Sequence, residues 1–433
     1  MHGDFSRTTF DPRKHYSGVL AQQGRVDVDA DGIEQVAITQ HYLRALARDL
    51  IGPHGGPGEG FAIDTVSDRF DFAILQGRYY VDGVLCENES AEVTYRSQPD
   101  HRIGGGDELQ ANRSYLVYLD VWERLVTFVE DDSIREIALG GPDTAARSRV
   151  VWQVRVVDTA GRENQADGDP DGLLRQLRPP LSAAELMAQA LPGPVSDDPC
   201  VVPSTARYRG VENQLYRVEI HTPGTEGQAT FKWSRDNGSV VFPILRPVAN
   251  PVRVESLGRD DRLTVERDDF VEAVDLDVIN ERVANPLGKV LEIDPDEGTV
   301  TLPDGFVLGV SETRYPLLRR WHHEVEGLAL EDGAIELREG EWIDLEDGVQ
   351  VWFQDGGTYN TGDYWLIPAR TETGDVLWPR GQPSAPGQPP PPLLRPPEGV
   401  LHHYAPLGIL SVGADGTITL GKVFRRTIQQ AAK

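Results

Sequence analysis

KVLEIDPDEGTVTLP (289–303) and LGILSVGADGTITLG (407–421) follow one plan: an alternating apolar run, an Asp/Gly turn, then a second run. Apolar residues at every second position suit a half-buried strand, and the Asp/Gly turn supplies the positive φ of a tight hairpin. The same grammar extends outward. RFDFAILQGRYYVDGVL (69–85) alternates and turns at Gln76-Gly77 and Asp82-Gly83. NQLYRVEIH (213–221) and ATFKWSRDNGSVVFPIL (229–245) predict a hairpin, with a tight turn at Asp236-Asn237-Gly238. SYLVYLDVWERLVTFVE (114–130) and RVVWQVRVVD (149–158) read as buried strands. Gly 44 and Pro 31 punctuate these short runs. The pattern predicts a mainly β chain of several β-barrel or β-sandwich modules rather than a βαβ fold.

Two helices interrupt the strands. Asp31 is the expected N-cap of a long amphipathic helix, with Glu34 three residues on completing a capping box. Ile33, Val36, Ala37, Leu43, Leu46, Ala47 and Leu50 then recur at helical spacing, and Gly52-Pro53 ends the run. A minor helix is expected over LSAAELMAQAL (181–191), capped by Ser182. The expected organisation is a docking segment with its helix over 1–60 and a first β domain over 61–160. A linker with the short helix follows over 161–200, then β domains over 201–310 and 311–433. The last contains the Pro-rich stretch 378–399, which reads as an extended strap that wraps a domain or bridges to a neighbour.

Across 433 residues, 69 acids stand against 42 bases, for a net charge of −27. That balance argues against nucleic acid, whose binding needs a basic face, and against anionic membranes. No run approaches the apolar length of a membrane span, and the first residues lack the apolar core of a secretory signal. Synthesis in the cytoplasm without membrane insertion is the expectation. Two cysteines, Cys86 and Cys200, make neither a disulfide framework nor a zinc site.

The sharpest chemical pattern is Asp27-x-Asp29-x-Asp31-Gly32, which opens like a calcium loop because hard cations want oxygens around a tight turn. Its twelfth position is Ile38, where a bidentate Glu belongs, so the calcium loop is incomplete and the three acids read first as caps at a helix start. The pattern recurs at Asp167-x-Asp169-x-Asp171-Gly172, with Arg178 at the twelfth position. No cofactor is expected, and calcium is the one weak candidate these turns offer. His322-His323 and His402-His403 are adjacent pairs, whose side chains point opposite ways on a strand and give no bidentate site. The acidic blocks 259–277 and 323–347 read as charged faces of exposed strands. Signatures for hydrolase triads, Walker loops and dinucleotide binding are missing. The aromatic stretch 357–370 suits a core or a carbohydrate platform.

Several long blocks share a further feature. GDFSRTTFDPRKHYSGVLAQQGRVDVDADGIEQ (3–35), GRYYVDGVLCENE (77–89), VYLDVWERLVTF (117–128) and IALGGPDTAARSRVVWQV (137–154) resemble one bacterial and archaeal family of unknown function. So do GVENQLYRVEIH (210–221), FKWSRDNGSVVFPI (231–244) and YNTGDYWLIPAR (359–370). Members of that family are encoded among phage-tail-like, extracellular contractile injection systems. The resemblance implies a non-enzymatic structural or interaction component of such a particle, in a baseplate-peripheral, fibre-like or cargo-adaptor role. It implies other tail and baseplate proteins as partners, an oligomer, and a particle that is cytoplasmic or released. It supplies no catalytic residues. The N-terminal helix with Tyr80-Val81-Asp82-Gly83 also looks like a baseplate theme that docks a β-rich module on a hub. The alternatives are a glycan- or cell-surface-binding module, calcium-dependent through its Asp turns, and a carboxylate-based glycosidase.

Overall fold

The computed structural model describes residues 1–100, 108–177, 182–191, 207–258, 260, 262–322, 328–383 and 390–428. Cys200 and His323 lie outside them. The fold is mainly β, built of open, sandwich-like sheets; among the described residues no barrel closes, which corrects the barrel half of the expectation. No described helix is long and apolar enough to cross a membrane. The chain divides into two compact units, each assembled from separate stretches. The major unit comprises Met1–Arg7, Leu125–Ala146 and Leu181–Gly399, and the minor unit Thr8–Arg124, Arg147–Pro180 and Val400–Lys433.

In the minor unit an antiparallel four-stranded sheet runs in the order Ile418–Val423, His403–Val412, Arg113–Val126, Arg147–Asp158. Its long central strand needs no polar face, because both faces are covered. Val117, Leu119 and Val121 enter a core with Phe61, Phe72, Tyr79 and Trp152. Leu116 and Tyr118 pack instead against Ala166, Leu173 and Leu174. Those three lie on α2 (Glu163–Gly168) and α3 (Pro170–Leu177), in a stretch the sequence reading took as linker. Asp82 and Gly83 both take positive φ, joining Gly77–Val81 to Val84–Asn88 in a tight hairpin. A Cβ on Gly83 would overlap the Arg44 carbonyl of α1 (Asp29–Ile51), so glycine serves both the turn and the close approach of that helix.

In the major unit a six-stranded sheet has the order Leu330–Glu331, Ala334–Glu336, Thr230–Ser234, Gln214–Ile220, Tyr364–Arg370, Asp375–Val376. It shares a core with a three-stranded sheet of Trp342–Asp344, Val349–Phe353 and Leu186–Ala190. The minor helix expected over 181–191 is therefore wrong: Leu186–Ala190 is a strand with Leu186, Ala188 and Ala190 buried in alternation. Ala, Leu and Met favour a helix locally, but pairing with Val349–Phe353 decides the period. A second module pairs the sheet Val241–Pro243, Leu317–Trp321, Phe270–Val274, Leu287–Lys289 with Val252–Arg253, Thr299–Thr301 and Glu292–Asp294. Asn237 and Gly238 take the anticipated positive φ. Yet the turn joins Thr230–Ser234 of one sheet to Val241–Pro243 of another, so it is a corner between sheets. The described parts of the strap fold back on themselves, with Leu393 N–H donating to the Pro379 carbonyl, and Glu398 and Tyr364 exchanging backbone bonds.

Candidate interaction surface

Helix α1 begins two residues earlier than its expected cap. Val28 is the N-cap and offers no side-chain bond; Asp29 and Asp31 occupy the first turn, where they complement the helix dipole. Glu34 does not close a capping box; its carboxylate accepts from the Thr9 hydroxyl. Gln35 Oε1 accepts from Val19 N–H at 2.8 Å, and Arg44 reaches Glu123 at 2.8 Å. Of the whole helix only Ala30 and Ile38 are buried. The other side is apolar and open: Val36, Leu43, Leu46 and Leu50 are 57 %, 61 %, 57 % and 78 % exposed. With Thr39 these residues recur at alternating steps of three and four, the spacing of a coiled-coil seam. Thr39 Oγ1 donates back to the Gln35 carbonyl at 2.9 Å, so covering the seam strands no hydroxyl there.

The major unit shows the opposite arrangement: charges inside. Glu219 accepts from Arg217, lies 2.8 Å from His2 Nε2 and 3.4 Å from Lys232 Nζ. Lys232 Nζ donates to Glu272 at 2.6 Å, which also accepts from Trp321 Nε1 at 3.0 Å. Arg217 and Asn237 donate to the Met1 carbonyl, and Asn237 also to the Gly3 carbonyl. Arg370 donates to the Ser6 carbonyl. The cluster thereby fastens Met1–Arg7 to the Gln214–Ile220 sheet. Burial pushes the His2 imidazole well below its usual range, helped by Arg217 and Arg319 and opposed by Glu219. Burial alone would raise the Glu219 carboxyl, but Arg217, His2 and Lys232 outweigh it and hold it well below the usual range. The imidazole Nε2 and the Glu219 carboxyl thus share one hydrogen bond inside the cluster. The sequence reading missed this cluster, placing Glu272 on an exposed strand face; it is buried. The available signal was a charge set inside an apolar strand, as in LYRVEI, TFKWS and FVEAV.

The remaining candidates are scattered. Asp27, Asp29 and Asp31 are exposed at the start of α1. Asp167 meets Lys422 at 3.3 Å, Asp169 accepts from Gly172 N–H, and Asp171 lies 4.0 Å from His54. Among the described residues no three His, Cys, Asp or Glu are gathered closely enough to hold a metal ion. His402, just before the strand His403–Val412, reaches Asp120 at 2.7 Å, and His403, its first residue, reaches Asp82 at 3.0 Å. Tyr359, Tyr364 and Trp365 of the aromatic stretch are buried, so they serve the core. Glu339 accepts from the Tyr359 hydroxyl and the Gly356 and Gly357 N–H groups; Glu346 accepts from Tyr216 and Arg235. Cys86 is a buried thiol, which burial pushes far above its usual range.

A model of a family of unknown function (DUF6519) matches residues 1–176 and 170–419. No curated protein and no solved structure matches the chain.

Proposed function

Since the chain belongs to that family of unknown function, we propose that it is a non-enzymatic structural or interaction component of a phage-tail-like contractile injection particle. The observation that carries an interaction role is the free face of α1. A surface helix normally turns its apolar stripe to the core. This one spends Ile38 and Ala30 on its own unit and leaves a row of four large aliphatic residues in water. Contiguous exposed apolar surface of this kind marks a contact site.

The particle assignment rests on the resemblance of the blocks quoted above, and it covers a baseplate-peripheral, fibre-like or cargo-adaptor position. Tail and baseplate proteins are then the partners, and no cofactor is required. Proteomics of purified sheathed particles from the producing cell tests the reading. The chain is expected at a fixed ratio to sheath and tube subunits. Its repeated absence from intact particles would remove the assignment.

A further inference from the structure

We infer that the buried guanidinium of Arg319 binds a small, singly charged inorganic anion of halide size, which completes the buried charge cluster of the major unit. The inference goes beyond the particle reading and does not depend on it.

Register is the first argument. On the strand Leu317–Trp321, Arg319 stands opposite Glu272 of Phe270–Val274. Alternation puts Arg319, Trp321 and Glu272 on one face of that sheet, while Val271, Ala273 and Leu318 enter an apolar core on the other. An acid and a base directly across an antiparallel pair ordinarily join. Here the Glu272 carboxylate turns instead to Lys232 Nζ at 2.6 Å and Trp321 Nε1 at 3.0 Å. Glu219, the other acid of the cluster, is taken by Arg217, His2 and Lys232.

Arg319 is left over. It is 7 % exposed. Its Nε is sealed from solvent without a hydrogen-bond partner, and among the described residues no hydrogen bond or ion pair reaches its terminal nitrogens. The next residue, Arg320, shows the ordinary outcome: its terminal nitrogens donate to the Thr264 and Arg262 carbonyls and to Asp236. Arg217, Lys232 and Arg319 thus face Glu219 and Glu272, all of them buried, and the cluster is short of one negative charge. A buried lysine or histidine sheds its proton when no partner is near; a guanidinium does not. The charge therefore stays and calls for a counter-charge.

The surroundings set the size. His2 and the Arg319 stem both close on Gly238, where an added Cβ would meet His2 Cδ2 at 2.8 Å and Arg319 Cδ at 3.4 Å. The His2 ring lies edge-on to Trp321 at 5.9 Å. So enclosed a head group favours a compact ion over a bulky organic acid.

Thermal unfolding of the full chain in sodium chloride or bromide, against sodium gluconate at the same ionic strength, is the test; matched ionic strength removes general screening. The wild type is expected to melt about 2 °C higher in either halide, with an effect that saturates as the halide rises. Arg319→Gln removes the surplus charge and is expected to melt at one temperature in all three salts. Crystals grown in bromide give a second readout that needs no variant: an anomalous peak within hydrogen-bond distance of Arg319. A wild type indifferent to the anion overturns the inference, and so does a halide effect that survives in the variant. A bromide peak only elsewhere overturns it too, as does one at Arg319 without the saturating shift, which marks an adventitious ion only. None of these outcomes touches the presence of the chain in particles, which is read separately.

Discussion

The α1 face and the Glu219–Lys232–Glu272 cluster break the same rule in opposite directions. One leaves leucines in water; the other puts a lysine and two glutamates where 3 % or less of the lysine and Glu272 remains exposed. Burying a charge is unfavourable unless partners surround it, and leaving apolar surface open is unfavourable unless something covers it. The cluster meets its condition inside the major unit, where Arg217, His2, Lys232 and Trp321 satisfy the two carboxylates. The seam does not meet its condition within the described chain. Completed inside, such a feature fixes a structure, here the seating of Met1–Arg7. Left incomplete, it asks for a partner.

The contrast breaks most sharply at Glu272. Replacing Glu272 by Ala leaves Lys232 with the Glu219 carboxylate at 3.4 Å and the Trp321 ring at 4.5 Å, and removing one partner from a buried pair costs about 3–5 kcal/mol. A denaturant titration should show that loss. Next is Ile38→Ala on the closed face of α1, expected to cost about 2–5 kcal/mol of stability. Leu43→Ala, five residues on and on the open face, should stay within about 0.5 kcal/mol in the monomer. Equal costs for the two would mean that the faces of α1 are not as distinct as their burial. Gly83→Ala combines positive φ with overlap on the Arg44 carbonyl, an effect of about 1–3 kcal/mol. Hydrogen exchange should locate it in faster opening of α1, with the major unit unchanged.

The smallest effect is a pH dependence. His2 folds with its affinity for protons lowered, so the unfolded chain binds more protons as pH falls below the ordinary 6.5. Stability therefore falls with pH from there. Glu219, also depressed, adds stability that is present above its ordinary 4.5 and lost as pH drops through its folded value. His2→Gln should flatten the upper part of this decline, measured as melting temperature between those two values. A profile identical to the wild type's would separate His2 from the cluster.

Much of the minor unit was legible. The Tyr80–Gly83 turn, the 407–421 hairpin and the end of α1 at Gly52 each follow from local rules that a single stretch contains. Legibility failed where a distant strand set the outcome. Residues 186–190 read as helix until Val349–Phe353 paired with them, and 163–177 read as linker because their few apolar positions had no visible sheet to cover. The seam stood in the pattern from the start, since Val36, Leu43, Leu46 and Leu50 were part of the expected amphipathic face. What the pattern did not reveal was that this face would be the open one.

Sequence alone determined a β-rich chain with one long helix and its turns, because positive-φ residues and apolar period act over a few positions. Tertiary structure alone decided which charges went inside and which leucines stayed out. Burial belongs to no residue by itself: it depends on which strands pair and which helix face the fold reaches, and those partners lie up to hundreds of positions away.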